Sequence, residues 1–149
     1  MTTSVGVQAK FHNALYALCE LDFDAVAAYK VAIDRLESEV YKERLSEFME
    51  DHKRHIKNIT NILKVHKKEI PTGPDIKQYL TKGKIVLANI FGDKAILKAM
   101  VTNEIDTNTA YERVSEHANK WPEATAVIIQ GLNDERRHKK WLETVIEEN

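Results

Sequence analysis

A chain of 149 residues suits one domain, spanning residues 1–149, with a closed hydrophobic core. Its 22 Lys and Arg nearly cancel 23 Asp and Glu, and a net charge of −1 gives no electrostatic case for nucleic acid or a membrane surface as partner. Five glycines and three prolines are too few for a turn-rich β architecture and favour long helices.

The first helix is expected at about residues 8–37, with Phe11, Leu15, Leu18, Asp22, Val26, Tyr29, Ile33 and Leu36 at helical spacing. Ser38 can cap the second, at about 39–68, whose stripe is Leu45, Phe48, His52, His55, Ile59, Ile62 and His66. Lys64, Lys67 and Lys68 gather at its end, the sign a helix C-terminus prefers. Pro71 to Pro74 breaks the chain. A shorter connecting helix is expected at about 75–90, weakened by Gly83, and Phe91-Gly92-Asp93 supplies a stop and a fresh N-cap. The third long helix follows at about 93–119, with Ile96, Met100, Glu104, Thr107, Tyr111 and Val114 facing inward. Pro122 suits the first turn of the fourth, at about 122–147. Its stripe is Val127 or Ile128, Gly131 or Leu132, Glu135, His138, Leu142 and Val145.

The lone cysteine, Cys19, excludes an internal disulfide and any cysteine-based zinc or iron–sulfur site within one chain, and reads as a small buried apolar residue. The segment Met1–Val7 lacks the basic start and apolar run of a signal peptide. No apolar stretch approaches ~18 residues, so the expectation is a cytoplasmic protein without a membrane span.

Six ionisable residues occupy positions where these patterns call for apolar core: Asp22, His52, His55, Glu104, Glu135 and His138. Burying such groups is costly unless they are paired or bound to metal. A weak internal repeat organises them. Asp22 precedes Tyr29 by seven residues, as Glu104 precedes Tyr111, and His52-Lys-Arg-His55 parallels Glu135-Arg-Arg-His138. The chain therefore reads as two helical hairpins joined by a long crossover. A di-metal carboxylate site in a four-helix bundle uses one carboxylate from each of two helices and a Glu-x-x-His from each of the others. Residues three apart share a helix face, so Glu-x-x-His offers an oxygen and an imidazole nitrogen together. Glu135-x-x-His138 fits fully, and Glu104 fits a single-carboxylate helix.

On these residues the chain resembles the ferritin-like superfamily of ferritins, bacterioferritins and rubrerythrins. In those families a metal-binding carboxylate is followed seven residues later by a tyrosine, as in Glu104…Tyr111 and Asp22…Tyr29. The segment from Gly92 through Glu104 to Tyr111 is also similar to a bacterial branch of ferritin-like bundles. The resemblance runs from about residue 8 to 147. It implies an all-α, ferritin-like up-down four-helix bundle with a long crossover containing an additional short helix. It further implies Asp22, His52 and His55 on one side of a non-haem centre and Glu104, Glu135 and His138 on the other. Tyr29 and Tyr111 would be core tyrosines hydrogen-bonded to carboxylates, orienting the ligands.

The chain departs from that pattern at two positions. His52 stands where the family has Glu, and Asp22, one methylene shorter, stands where Glu is usual. Two divalent cations would bring +4 against three carboxylates, leaving oxide, hydroxide or a bound anion to balance them; a single metal is the alternative. Glu50 and Asp51 point off the core stripe, and Glu20 and Asp24 compete with Asp22 for the inner position. His66 lies too far along its helix to join the site, His12 and His117 read as surface residues, and Trp121 and Trp141 as packing anchors. Arg136, Arg137, Lys139 and Lys140 read as a solvated face.

The resemblance implies two iron ions, with manganese or zinc as alternatives, reacting with O2 or peroxide as a ferroxidase or peroxidase. With no Cys-x-x-Cys module, electrons would come from an external donor. The chain ends after the fourth helix, so a homodimer or small homo-oligomer is expected rather than a storage shell. A non-catalytic structural or interaction bundle is the contrasting reading. A histidine phosphotransfer bundle fits less well, because neither His52 nor His55 begins a His-x-x-Lys-Gly motif.

Overall fold

Four long helices form where the apolar periodicity places them. In the computed structural model, which describes residues 3–74 and 89–148, they are α1 (Phe11–Arg35), α2 (Glu39–Val65), α3 (Asp93–Ser115) and α4 (Pro122–Glu148). A 3-10 turn, Ala118–Lys120, separates the last two, and the described residues contain no strand. The short helix expected at 75–90 falls almost wholly outside the described residues, and Asn89 and Ile90 are not helical.

Local chemistry sets the ends. Lys10 and Leu36 are extended, which starts α1 later and stops it sooner than the apolar pattern alone suggests. The Ser38 hydroxyl accepts the Tyr41 N–H at 3.3 Å, the expected cap of α2. Pro122 opens α4 as expected, after an extended Trp121; α3 stops at Ser115, short of residue 119, and the 3-10 turn Ala118–Lys120 follows it. Asp93 does not cap its own helix. It is the first residue of α3, and its carboxylate accepts the Glu37 N–H at 2.8 Å and the Ser38 N–H at 3.0 Å, tying α3 to the start of α2.

α1 packs on α2 and α3, and α4 on α3 and α2. Tyr29 of α1 meets Glu104 of α3 while Asp22 meets Tyr111, so these helices are antiparallel. α2, about 40 Å long, and α3 therefore run in the same direction. Val26 and Ile33 are only half-buried; Ala25, Ala28 and Ala32 take that face, because a helix touching two neighbours buries an arc wider than one stripe.

The apolar core is split. One cluster, with Leu15, Leu18, Ile59, Leu63, Val114 and Ile128, fills one end of the bundle. The other, with Tyr29, Leu45, Phe48, Ile96, Met100 and Leu142, fills the opposite end. Between them lies a layer of polar side chains. No described helix is long and apolar enough to cross a membrane.

Candidate metal centre

All four helices contribute to the polar layer. Asp22 comes from α1, His52 and His55 from α2, Glu104 from α3, and Glu135 and His138 from α4; none is more than 3% exposed. The three-residue spacing on α2 and α4 turns both members of each pair inward. Asp22 Oδ1 lies 2.8 Å from His52 Nδ1 and 3.2 Å from His55 Nδ1. Glu104 Oε1 lies 3.4 Å from both His52 Nε2 and His138 Nδ1. Glu135 Oε1 is 3.3 Å from Nδ1 of His52 and of His55, and its Oε2 is 3.7 Å from His138 Nδ1.

The tyrosines pair across hairpins. Tyr29 donates to Glu104, and Tyr111 donates to Asp22 at 2.7 Å, so each bonds the carboxylate of the neighbouring helix rather than the one seven residues before it. Gly131 makes room for this: a Cβ there would overlap Cε1 of Tyr111 and sit 3.0 Å from its Cδ1. Thr107 donates to the second Glu104 oxygen at 3.1 Å, and Asn108 ties the Glu104 and Glu135 carbonyls together at 2.7 and 3.0 Å.

A second ring of side chains holds the imidazoles from behind. His55 Nε2 lies 2.8 Å from Asp134 and His138 Nε2 lies 2.8 Å from Asp51, each carboxylate coming from the opposite helix. Arg137 donates to Asp51 at 2.7 Å and to Asp134 at 3.2 Å; Arg54 donates to Asp51 at 3.0 Å and also to Asp134. Such partners fix ring orientation and direct the remaining nitrogen, Nδ1, inward. Asp51 is off the core stripe, as its angle implies, yet it belongs to the network, and Arg137, exposed as expected, also bridges Asp51 and Asp134. The signal was available: Asp51-His-Lys-Arg54-His55 and Asp134-Glu-Arg-Arg137-His138 are one five-residue pattern, Asp-x-x-Arg-His, written twice.

Electrostatics follow from burial and pairing. Burial opposes charge on His55, but the neighbouring carboxylates of Asp134, Asp22 and Glu135 lift it to about 12. His138 rises to about 11 against the same penalty, through Asp51, Glu104 and Glu135. His52 rises to about 9 through the charge of Glu135 and hydrogen bonds to Asp22 and Glu104. The carboxyls divide. Burial would raise Glu104, yet the adjacent imidazoles of His138 and His52 hold it well below the usual range. His52 and His55 likewise lower Asp22 against its burial. Glu135 is pushed up, by burial first and then by Glu104, although His52 pulls it down.

Both oxygens of Glu135 and Nδ1 of His138 are buried without a hydrogen bond among the described residues. Two four-residue sets present donor atoms all within 4.8 Å of one another: Asp22, His52, His55 and Glu135, and His52, Glu104, Glu135 and His138. These sets of carboxylate oxygens and imidazole nitrogens could hold metal ions.

The remaining sequence candidates lie elsewhere. Glu20 and Asp24 are half-buried and outside both sets. His66 stacks on Trp121, rings 3.6 Å apart, at the far end of α2. Trp141 packs edge-on to Phe48 and Tyr41. Cys19 is buried with its thiol pushed up to about 12, and Thr60 Oγ1 lies 3.7 Å from its sulfur.

Residues 10–117 match the family described as "Domain of unknown function (DUF2383)", a span that ends before α4 and its Glu135 and His138. No curated protein matches the chain. A solved structure described as a conserved hypothetical protein, rv2844, from Mycobacterium tuberculosis is similar, with a TM-score of 0.71 over 93% of this chain and 98% of that chain. The two are 16% identical, so the likeness is one of fold.

Proposed function

The chain belongs to the DUF2383 family, and for this member we propose a non-haem metal centre of the ferritin-like kind, taking up to two ions inside the bundle and reacting with O2 or peroxide. Iron is the cation proposed, with manganese or zinc as alternatives, and reducing equivalents would come from an external donor. One observation carries the reading: six ionisable side chains from four helices converge in a layer where Glu135 and His138 retain polar atoms with no protein hydrogen bond. A buried carboxylate without donors is destabilising unless a cation satisfies it.

Asp22, His55 and Glu135 would hold one side, and Glu104, His138 and Glu135 the other, with His52 between them. Iron held there would supply a ferrous–ferric couple for an oxidant. Tyr29 and Tyr111 orient Glu104 and Asp22, and both hydroxyls are held protonated well above their usual range, burial being the main cause. Asp51 and Asp134 hold the imidazole Nε2 atoms and so keep Nδ1 turned inward. The apolar clusters above and below the layer exclude bulk water from it.

A second reading, a structural bundle without redox function, draws on a different observation. Asp22 is fully hydrogen-bonded, and three imidazoles stand opposite three carboxylates, a network that can balance itself. Anaerobic reconstitution with ferrous iron followed by elemental analysis separates the two. The metal reading expects about one to two ions per chain and a visible absorption band on exposure to air. Less than about a tenth of an ion per chain after reconstitution with iron, manganese or zinc leaves the structural bundle.

A further inference from the structure

The two halves of the layer are not equally satisfied. Asp22 and His55 have a partner for every polar side-chain atom: Tyr111 and His52 complete the first, Asp134 the second. The three atoms lacking hydrogen bonds, both Glu135 oxygens and His138 Nδ1, fall together in the set His52, Glu104, Glu135 and His138. Glu135 and His52 belong to both sets, so the atom that singles this one out is His138 Nδ1, which lies in it alone. His52 can serve only one set, because a neutral imidazole has one lone pair. Its Nδ1 is 2.8 Å from Asp22, a good donor distance, while Nε2 is 3.4 Å from Glu104 and faces the unsatisfied set. Charge limits the number of ions. Each set holds two carboxylates and offsets one divalent cation, whereas filling both brings +4 against three carboxylates, because Glu135 is shared.

Resting on the metal-centre reading, we propose that the layer fills in a fixed order. One first-row divalent cation is taken up tightly by Glu104, Glu135, His138 and Nε2 of His52. Asp22 and His55 stay hydrogen-bonded, supporting His52 from its Nδ1 side, and form at most a weak second position. His52, standing where the repeat would have a carboxylate, is what makes the halves unequal.

The test is a Co2+ titration of the full chain, followed by visible absorption and equilibrium dialysis, with circular dichroism checking that each variant is folded. One ion is expected to bind tightly, any second at least about 100-fold more weakly; His138→Ala should weaken the first step by at least about 100-fold, and Asp22→Asn by less than about tenfold. Glu104→Gln supplies the same reading if His138→Ala does not fold. Two ions of equal affinity, or loss of the tight step in Asp22→Asn with His138→Ala unaffected, overturns the order while leaving the metal centre standing. Absence of any binding by Co2+, Fe2+, Mn2+ or Zn2+ rejects the metal reading and the order together.

Discussion

The half of the polar layer built on Asp22 and His55 and the half built on Glu104, Glu135 and His138 come from equivalent places in two hairpins, yet only the first is closed by hydrogen bonds. The difference traces to one pair of equivalent positions, His52 on α2 and Glu135 on α4. An imidazole brings a proton to share and satisfies Asp22; a carboxylate brings none, and Glu135 is left beside imidazole nitrogens without a hydrogen bond among the described residues. A polar layer can thus carry its own counter-charges in one half and call for a cation in the other.

The strongest way to break this contrast is His52→Glu, which makes the repeat symmetric. Four carboxylates would then face two imidazoles, and the metal-free protein should lose roughly 3–5 kcal/mol in denaturant unfolding. Divalent metal should restore that loss and strengthen the second position. An unchanged metal-free stability would contradict the charge argument.

Gly131→Ala acts on the Asp22 half, forcing Tyr111 away from its carboxylate. A loss of about 1–3 kcal/mol is expected. Gly73→Ala, where a new Cβ meets nothing within 4 Å, is the matched control and should leave the melting temperature unchanged.

Asp51→Asn and Asp134→Asn compare the supports of the two halves. Asp51 holds His138, so its loss should weaken the first Co2+ step by about 10–100-fold, while Asp134→Asn, which frees His55, should leave that step within about threefold. Equal effects would mean that the ring of Asp and Arg acts as one unit.

The pH response follows from the same pairings. His52 is lifted from 6.5 to about 9, so the stability it contributes is complete below 6.5 and disappears as pH rises through 9. Asp22 and Glu104 are held below their ordinary 3.8 and 4.5, so their contribution is present above that range and is lost as pH falls beneath it. Metal-free protein should therefore melt highest near pH 5–6.5 and several degrees lower at about pH 9.5. A melting temperature that rises steadily to pH 9.5 would contradict the ionic pairing. The smallest effect is expected from Tyr29→Phe, about 1 kcal/mol for one hydrogen bond to Glu104.

Much of the frame was legible in the residues. Helical spacing turned Asp22, His52, His55, Glu104, Glu135 and His138 inward, and Ser38 and Pro122 marked helix starts. What spacing could not supply was the neighbour across an interface. Periodicity says which way a side chain faces along its own helix, not that Tyr111 meets Asp22, that Asp51 reaches His138, or that Asp93 caps another helix. Asp51 and Asp134 escaped because they sit at the edge of the buried arc, where a half-buried carboxylate looks like any surface acid until the opposing helix is in place.

The most direct measurement is anomalous X-ray diffraction at the cobalt edge from crystals of the Co2+-loaded protein. A peak is expected inside the bundle, bounded by Glu104, Glu135 and His138. A layer without anomalous signal, with Co2+ held only by surface carboxylates, would contradict that expectation.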